Sequence, residues 1–234
     1  MNEEAIQLRN RPLRPVPAPA VEPVSLSLDT SDSPGRRTIE ACIARKFDDA
    51  YNAHLSEFLP ELLSLSMEGQ PSAVVGLRPA AKHGLFLENY LDNPVEQSIS
   101  RAFRTPVDRN EIIEIGNLAA AVPGATYALF AILARVLHTA GFRWVVCTAT
   151  VQVEAMLDRM QFPSKTICYA DPTRLGEHAG DWGDYYASRP QVITGDAHVA
   201  NSMLDATPAM LALADQLADP IRDIAATLRT SINP

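Results

Sequence analysis

The stretch from Glu111 to Phe162, EIIEIGNLAAAVPGATYALFAILARVLHTAGFRWVVCTATVQVEAMLDRMQF, constrains the fold more than any other part of the chain. From Glu111 to Leu118 the alternation through Ile113 and Ile115, broken at Gly116, is that of a half-buried strand. A Gly/Pro loop follows. From Ala125 onward, Leu129, Ile132, Leu133, Val136, Leu137 and Ala140 recur at helical spacing and paint one apolar stripe, which Gly141 ends. Trp144 to Cys147 is too short for a helix and rich in β-formers. Thr150 then caps a second helix with Val153, Met156, Leu157 and Met160 on one face. A helix joining neighbouring strands favours parallel pairing. The order therefore predicts two parallel, adjacent strands that splay at their C-terminal ends, with the loop Ala119 to Ala125 and a helix N-terminus at the mouth. Glu114 falls inside the first strand, where a carboxylate is uncommon unless it faces a cleft, a partner or solvent.

The flanking sequence supplies the rest of a mixed sheet. Residues 1 to 23 hold five prolines with Arg9, Arg11 and Arg14 between them, the pattern of a flexible arm. Val24 to Leu28 is a strand, and Ser33-Pro34 a helix start for Ile39, Cys42, Ile43, Phe47 and Tyr51. Leu62 to Met67 and Ala73 to Leu77 form a hairpin across Glu68 to Pro71, and Gly84 to Tyr90 adds an extended piece. Asn93 and Glu96 have capping-box spacing, and Arg101, Arg104 and Arg109 follow that helix. Ser164 to Tyr169 and Gln191 to Thr194 are strands on either side of an ordered loop, Asp171 to Pro190, bearing Trp182, Tyr185 and Tyr186. Two amphipathic helices close the chain, opened by Thr207-Pro208 and Asp219-Pro220. They pack on their own domain, with dimerisation second and a membrane surface third. The expected division is an arm at 1–23, a domain at 24–197 and a helical extension at 198–234.

Composition narrows function. With 47% hydrophobic and 21% charged residues the 234-residue chain has the composition of a soluble globular protein. A net charge of -8 argues against a nucleic-acid binder, which needs a basic face to displace counterions. Cys42, Cys147 and Cys168 stand apart in apolar contexts, which suits a reducing, cytoplasmic compartment. No apolar run reaches the roughly 18–20 residues of a spanning helix. The five histidines lack metal-ligand spacing, so no metal is expected.

Several blocks carry a resemblance. EIGNLAAAVPG, GFRWVVCTATVQVEAMLDRMQFP, DWGDYYASRPQVITGD and FLENYLD, spread over Pro71 to Asp196, resemble the thermostable haemolysin family, whose fold is similar to the GNAT superfamily of N-acyltransferases. The strand Glu114 to Leu118 also resembles the Glu-x-Ser-Arg-Phe strand of acyl-homoserine-lactone synthases, matching it at the Glu alone. The resemblance implies an α/β fold of GNAT type with added C-terminal helices, and an acyl thioester as cosubstrate, from coenzyme A or an acyl carrier protein. Its pantetheine would lie between the splayed strands along Leu118, Ala119, Gly124, Ala125, Thr126, Thr148 and Thr150. Gly116 would be the bulge residue whose N–H faces the thioester oxygen, with Asn117 beside it. Glu114 would be the general base toward an amine or amino-acid acceptor. Tyr185, or else Tyr169 or Tyr186, would protonate the leaving thiolate, and Glu88, Asn89 and Tyr90 would lie near the site.

One departure bears on the donor. Ala121 to Thr126 offers a single Gly and no positive side chain, so a carrier protein is expected to serve at least as well as coenzyme A, with Arg101, Arg104 and Arg109 either its docking patch or a solvated helix end. A structural role for Glu114 stays open, as do a non-catalytic binding module on the same fold and a lipid-active protein.

Overall fold

The computed structural model describes residues 24–230. The expected arm at 1–23 and the last four residues of the chain lie outside the described residues. Strands β1 (Ser25–Asp29), β2 (Glu61–Met67), β3 (Gln70–Pro79), β4 (Ile112–Ala120), β5 (Trp144–Ala149), β6 (Ser164–Tyr169) and β7 (Gln191–Asp196) alternate with α1 (Arg36–Tyr51), α2 (Val95–Phe103), α3 (Ala125–Ala140), α4 (Val151–Arg159), α5 (Ala197–Asp205), α6 (Pro208–Gln216) and α7 (Ala218–Thr230). The strands form one sheet in the order β1-β2-β3-β4-β5-β7-β6. Every neighbouring pair is antiparallel except β4 and β5.

That parallel pair is the one the strand, helix, strand order predicts. Its register runs from Ile112 opposite Trp144 to Ile115 opposite Cys147 and stops there, although β4 continues to Ala120 and β5 to Ala149. Beyond this point β4 stays with β3 and β5 with β7. The two strands therefore part toward their C-terminal ends.

Alternation along β4 sends Ile113 and Ile115 to one face of the sheet, and Ile112 and Glu114 to the other. On the first face the α3 stripe, Leu129, Ile132 and Val136, is fully buried in one core with Leu63, Leu65 and Leu77 of the sheet and Ile221, Ile224 and Leu228 of α7. Each such side chain contributes about 1.5–3 kcal/mol on burial. The apolar face of α7 is thus covered by its own domain, the first of the three arrangements expected for the tail. On the second face lie two separate cores. One joins Ile39, Ile43 and Phe47 of α1 to Leu62 and Val74; the other joins Leu87, Val95 and Ile99 to Ile112, Trp144 and Val146.

Four local expectations give way. Gly84 to Tyr90 is not extended: Phe86–Tyr90 is a 3-10 turn, because the Glu114 carboxylate takes up the N–H groups of Phe86 and Leu87. The capping box at Asn93 does not form, since α2 begins after Pro94 and Asn93 and Glu96 accept instead from Arg101 and Arg109. Ser33 closes a turn on the Thr30 N–H at 2.9 Å, so α1 starts two residues after Pro34. The tail holds three helices rather than two, because Asp196 caps α5 by accepting from the His198 N–H.

Candidate functional site

Glu114 is held between the two cores of the second face, with 4% of its surface exposed. Its Oε2 accepts from Phe86 N at 2.8 Å and its Oε1 from Leu87 N at 2.9 Å. Arg78, opposite it on β3, brings Nη1 to 3.8 Å. Burial pushes the Glu114 pKa up, against the two N–H groups and Arg78, which draw it down. Each oxygen keeps a further lone pair, and the carboxylate borders a cleft of about 540 Å³.

The cleft follows the parting of β4 and β5. Gly116, Asn117 and Leu118 line one side, and Cys147, Thr148 and Thr150 the other. A bulge lies where expected, with β3 register passing from Val74–Ala119 to Gly76–Gly116, but its left-handed residue is Asn117, at φ 49°, and not Gly116. Asn tolerates that conformation because its short polar side chain finds a local partner. Here Asn117 Oδ1 accepts from Leu59 N at 2.8 Å. At Gly116 a Cβ would meet Leu59 Cδ1 at 3.1 Å, so that side chain would have to shift to admit one.

The remaining expected residues divide. Ala119 is buried in the α1 core, and Ala125 in the α3 core. Gly124, at φ 82°, precedes α3, and neither it nor Thr126 borders the cleft. Tyr185 lines the cleft, but its hydroxyl donates to Thr148 O at 3.1 Å and burial raises its pKa. Tyr186 hydrogen-bonds Tyr90 hydroxyl to hydroxyl; its pKa is pushed to about 12, chiefly by burial, so both protons stay on at neutral pH. Tyr169 lies outside the cleft wall. Asn89 and Tyr90 border the cleft, whereas Glu88 turns to Arg109.

The long loop is a wall. His54 N donates to Asp181 O and Asp184 N to Tyr51 O, both at 2.7 Å, which fastens it to the end of α1. Gly183 sits at φ 49°, and a Cβ there would run into the carbonyls of Tyr51 and Asn52. Trp182, Tyr185 and Tyr186 then meet Phe47, Tyr51, Phe86 and Tyr90 ring against ring.

The three arginines have different surroundings. Arg109 binds both Glu88 oxygens, at 2.7 and 2.8 Å, and Glu96 at 2.9 Å, and donates to Ala80 O. Those Arg109 bonds draw the Glu88 pKa down to about 2. Arg101 and Arg104 are exposed, and Phe103 between them packs at a tilt against Trp144, with ring centroids 4.7 Å apart. Trp144 begins β5, so the patch sits at the end of the strands opposite to the parting.

Two features escaped a reading by pattern. One is Arg78, which falls just past the expected end of its strand at Leu77. The other is a second cavity of about 390 Å³ on the α3 face, walled by α3, α4, α5 and β7. Ile115, Phe130 and Cys147 border both spaces. The Cys147 thiol there is pushed up to about 12, mainly by burial. Among the described residues no group of acidic, His and Cys side chains is placed to hold a metal ion, and no helix is long and apolar enough to cross a membrane.

No curated protein matches the sequence. Among solved structures, the AHL synthase LasI superposes with a TM-score of 0.51 at 12% identity, over 75% of this chain and 91% of that one. The CoA-dependent acyl-homoserine lactone synthase BjaI, solved with MTA, does so with 0.50 at 10% identity, over 79% and 89%. At such identities the likeness is one of fold, a GNAT-like mixed sheet with flanking helices. In sequence, residues 29–201 match the family described as Thermostable hemolysin, and with most of its length inside that match the chain belongs to this family.

Proposed function

We propose that the protein is an acyltransferase that moves an acyl group from a thioester to an amine, an amino acid or derivative. The observation that carries the reading is that Ile115, Phe130 and Cys147, at the parting of β4 and β5, border both the cleft holding Glu114 and the cavity on the other face of the sheet. A thioester carbonyl at that junction would have its acyl chain in the cavity, its pantetheine along the parting, and an amine approaching from the Glu114 side. Apolar lining suits the chain, and a few convergent polar groups suit the reacting end.

The chemistry follows from the groups present. The amine arrives as an ammonium and gives a proton to Glu114, whose raised pKa brings it closer to working pH. Nitrogen attacks the carbonyl carbon, the C–N bond forms, and the carbonyl oxygen takes up negative charge. Past Ile115, β4 has no strand on its β5 side, so backbone N–H groups of the bulge that point there are open to that oxygen. The C–S bond then breaks as the nitrogen gives up its second proton, which passes to the leaving thiolate, and Glu114 afterwards releases its own proton to solvent. The Tyr90–Tyr186 hydroxyl pair suits this step better than Tyr185, whose proton is committed to Thr148. Transfer is direct, because a Cys147 thiol titrating near 12 supplies almost no thiolate nucleophile at neutral pH.

Donor choice rests on the loop before α3. Residues Ala121–Thr126 bring no cation, so a carrier protein with one phosphate on its arm fits at least as well as coenzyme A. Thiol release from butanoyl to hexadecanoyl thioesters of coenzyme A and of an acyl carrier protein, against an amino-acid panel, tests the proposal. The expected result is release that needs both protein and amine. Release indifferent to the amine, or none, would contradict it.

A further inference from the structure

Arg78 offsets part of the buried Glu114 charge, but that contact leaves its side-chain donors unused. It lies on β3 beside the cleft, with 22% of its side chain exposed. A guanidinium presents five N–H donors in a fixed fork, and the neighbouring arginines use theirs: Arg36 on Leu59 and Pro60 carbonyls, Arg109 on Glu88 and Glu96, Arg174 on Tyr90 and Leu91 carbonyls. Among the described residues the Arg78 side chain makes no hydrogen bond, and its only ion pair, to Glu114, is 3.8 Å long. Glu61 feels its charge but makes no bond to it. Partly buried donors left unused are costly unless a ligand takes them.

Resting on the acyltransferase reading, we infer that Arg78 binds a carboxylate of the acceptor, so that the acceptor is an α-amino acid with a free carboxyl group. The geometry is specific. Arg78 and Glu114 are cross-strand neighbours, and both border the cleft. An α-amino acid carries its ammonium and carboxylate on one carbon, so the ammonium meets Glu114 while the carboxylate meets the Arg78 fork. Bidentate pairing of this kind is among the stronger polar contacts available. The donor's phosphate is the competing anion, but it belongs at the mouth near Ala121–Gly124. That is seven or more residues along from Glu114, on the order of 20 Å for a strand, and beyond the reach of Arg78.

The test compares each amino acid with its own carboxamide, which keeps the amine and removes the charge. With dodecanoyl coenzyme A as donor, the wild type should prefer the amino acid by at least about 10-fold in kcat/KM, the measure of one charged contact. Arg78→Gln should abolish that preference, the amino acid losing at least about 10-fold more in kcat/KM than the carboxamide, and Arg78→Lys should retain part of it. Equal use of acid and amide by the wild type, or a preference that survives Arg78→Gln, overturns the inference. A calorimetric arm separates it from the reaction itself: N-dodecanoylglycine should bind the wild type more tightly than N-dodecanoylglycinamide, and Arg78→Gln should remove the difference. If no thiol is released with any acceptor, the acyltransferase reading fails, and equal binding of the two probes would then remove the carboxylate site as well.

Discussion

Glu114 does two jobs at once, and substitution separates them. Both of its oxygens accept backbone N–H bonds, so Glu114→Gln presents an amide NH2 to one of those donors and should cost about 1–3 kcal/mol of stability. If it is also the base, turnover should fall about 100- to 10,000-fold, far more than loss of folded protein explains. The pH dependence carries the same signature. A carboxyl group whose folded pKa is raised binds its proton more tightly when folded, so the stability it contributes falls as pH rises from 4.5 through the folded value. Wild type should lose stability relative to Glu114→Gln over that window, while its kcat/KM climbs through the same folded value; the variant should lack both limbs. A wild-type activity profile flat across this range would remove Glu114 as the base. The sequence exposed Glu114 because a carboxylate interrupts an apolar alternation. It did not expose the acceptor side, because Arg78 at a strand end looks like any solvated cation until β3 and β4 are laid in register.

At the scale of elements, the second face is held by bonds that span long sequence separations. Arg109 fastens the turn Phe86–Tyr90 to α2 through Glu88 and Glu96. Arg109→Ala should cost about 1.5–3 kcal/mol near pH 7, the range for charged hydrogen bonds. Glu88 titrates in the opposite sense to Glu114: its folded pKa is lowered to about 2, so its contribution is complete above 4.5 and lost as pH falls toward 2. The gap between wild type and Arg109→Ala in denaturant unfolding should close over that range; a gap constant from pH 7 to pH 2 would contradict this account. Gly183→Ala should detach the aromatic wall, costing at least about 1 kcal/mol for a Cβ at positive φ, with faster amide exchange across Asp171–Pro190. Such contacts explain which elements the sequence revealed. Strands β4 and β5 and helices α3 and α4 are written in local periodicity, and they were legible. The Phe86–Tyr90 turn is set by a carboxylate 28 residues away, and the capping box failed because Arg109 claims Glu96. No periodicity records either event.

For the whole molecule, the proposed chemistry is divided between the two faces of the sheet, the amine on the Glu114 side and the acyl chain on the α3 side, with Ile115, Phe130 and Cys147 bordering both spaces. The parting was legible from element order alone. The cavity was not, because it depends on how α5 and α6 lean on α3, which amphipathic patterns do not specify. Ala200 of α5 borders that cavity, so Ala200→Phe should fill it and shift the preferred acyl chain to shorter lengths, with a change in melting temperature of only a few degrees. An unaltered length profile would place the chain elsewhere. The central claim, acyl transfer from a thioester to an amino group, is tested most directly by mass spectrometry of the products formed from a dodecanoyl thioester and mixed amino acids. The account predicts an N-dodecanoyl amino acid in one-to-one yield with released thiol. Free dodecanoic acid as the sole product, or an unchanged thioester, would contradict it.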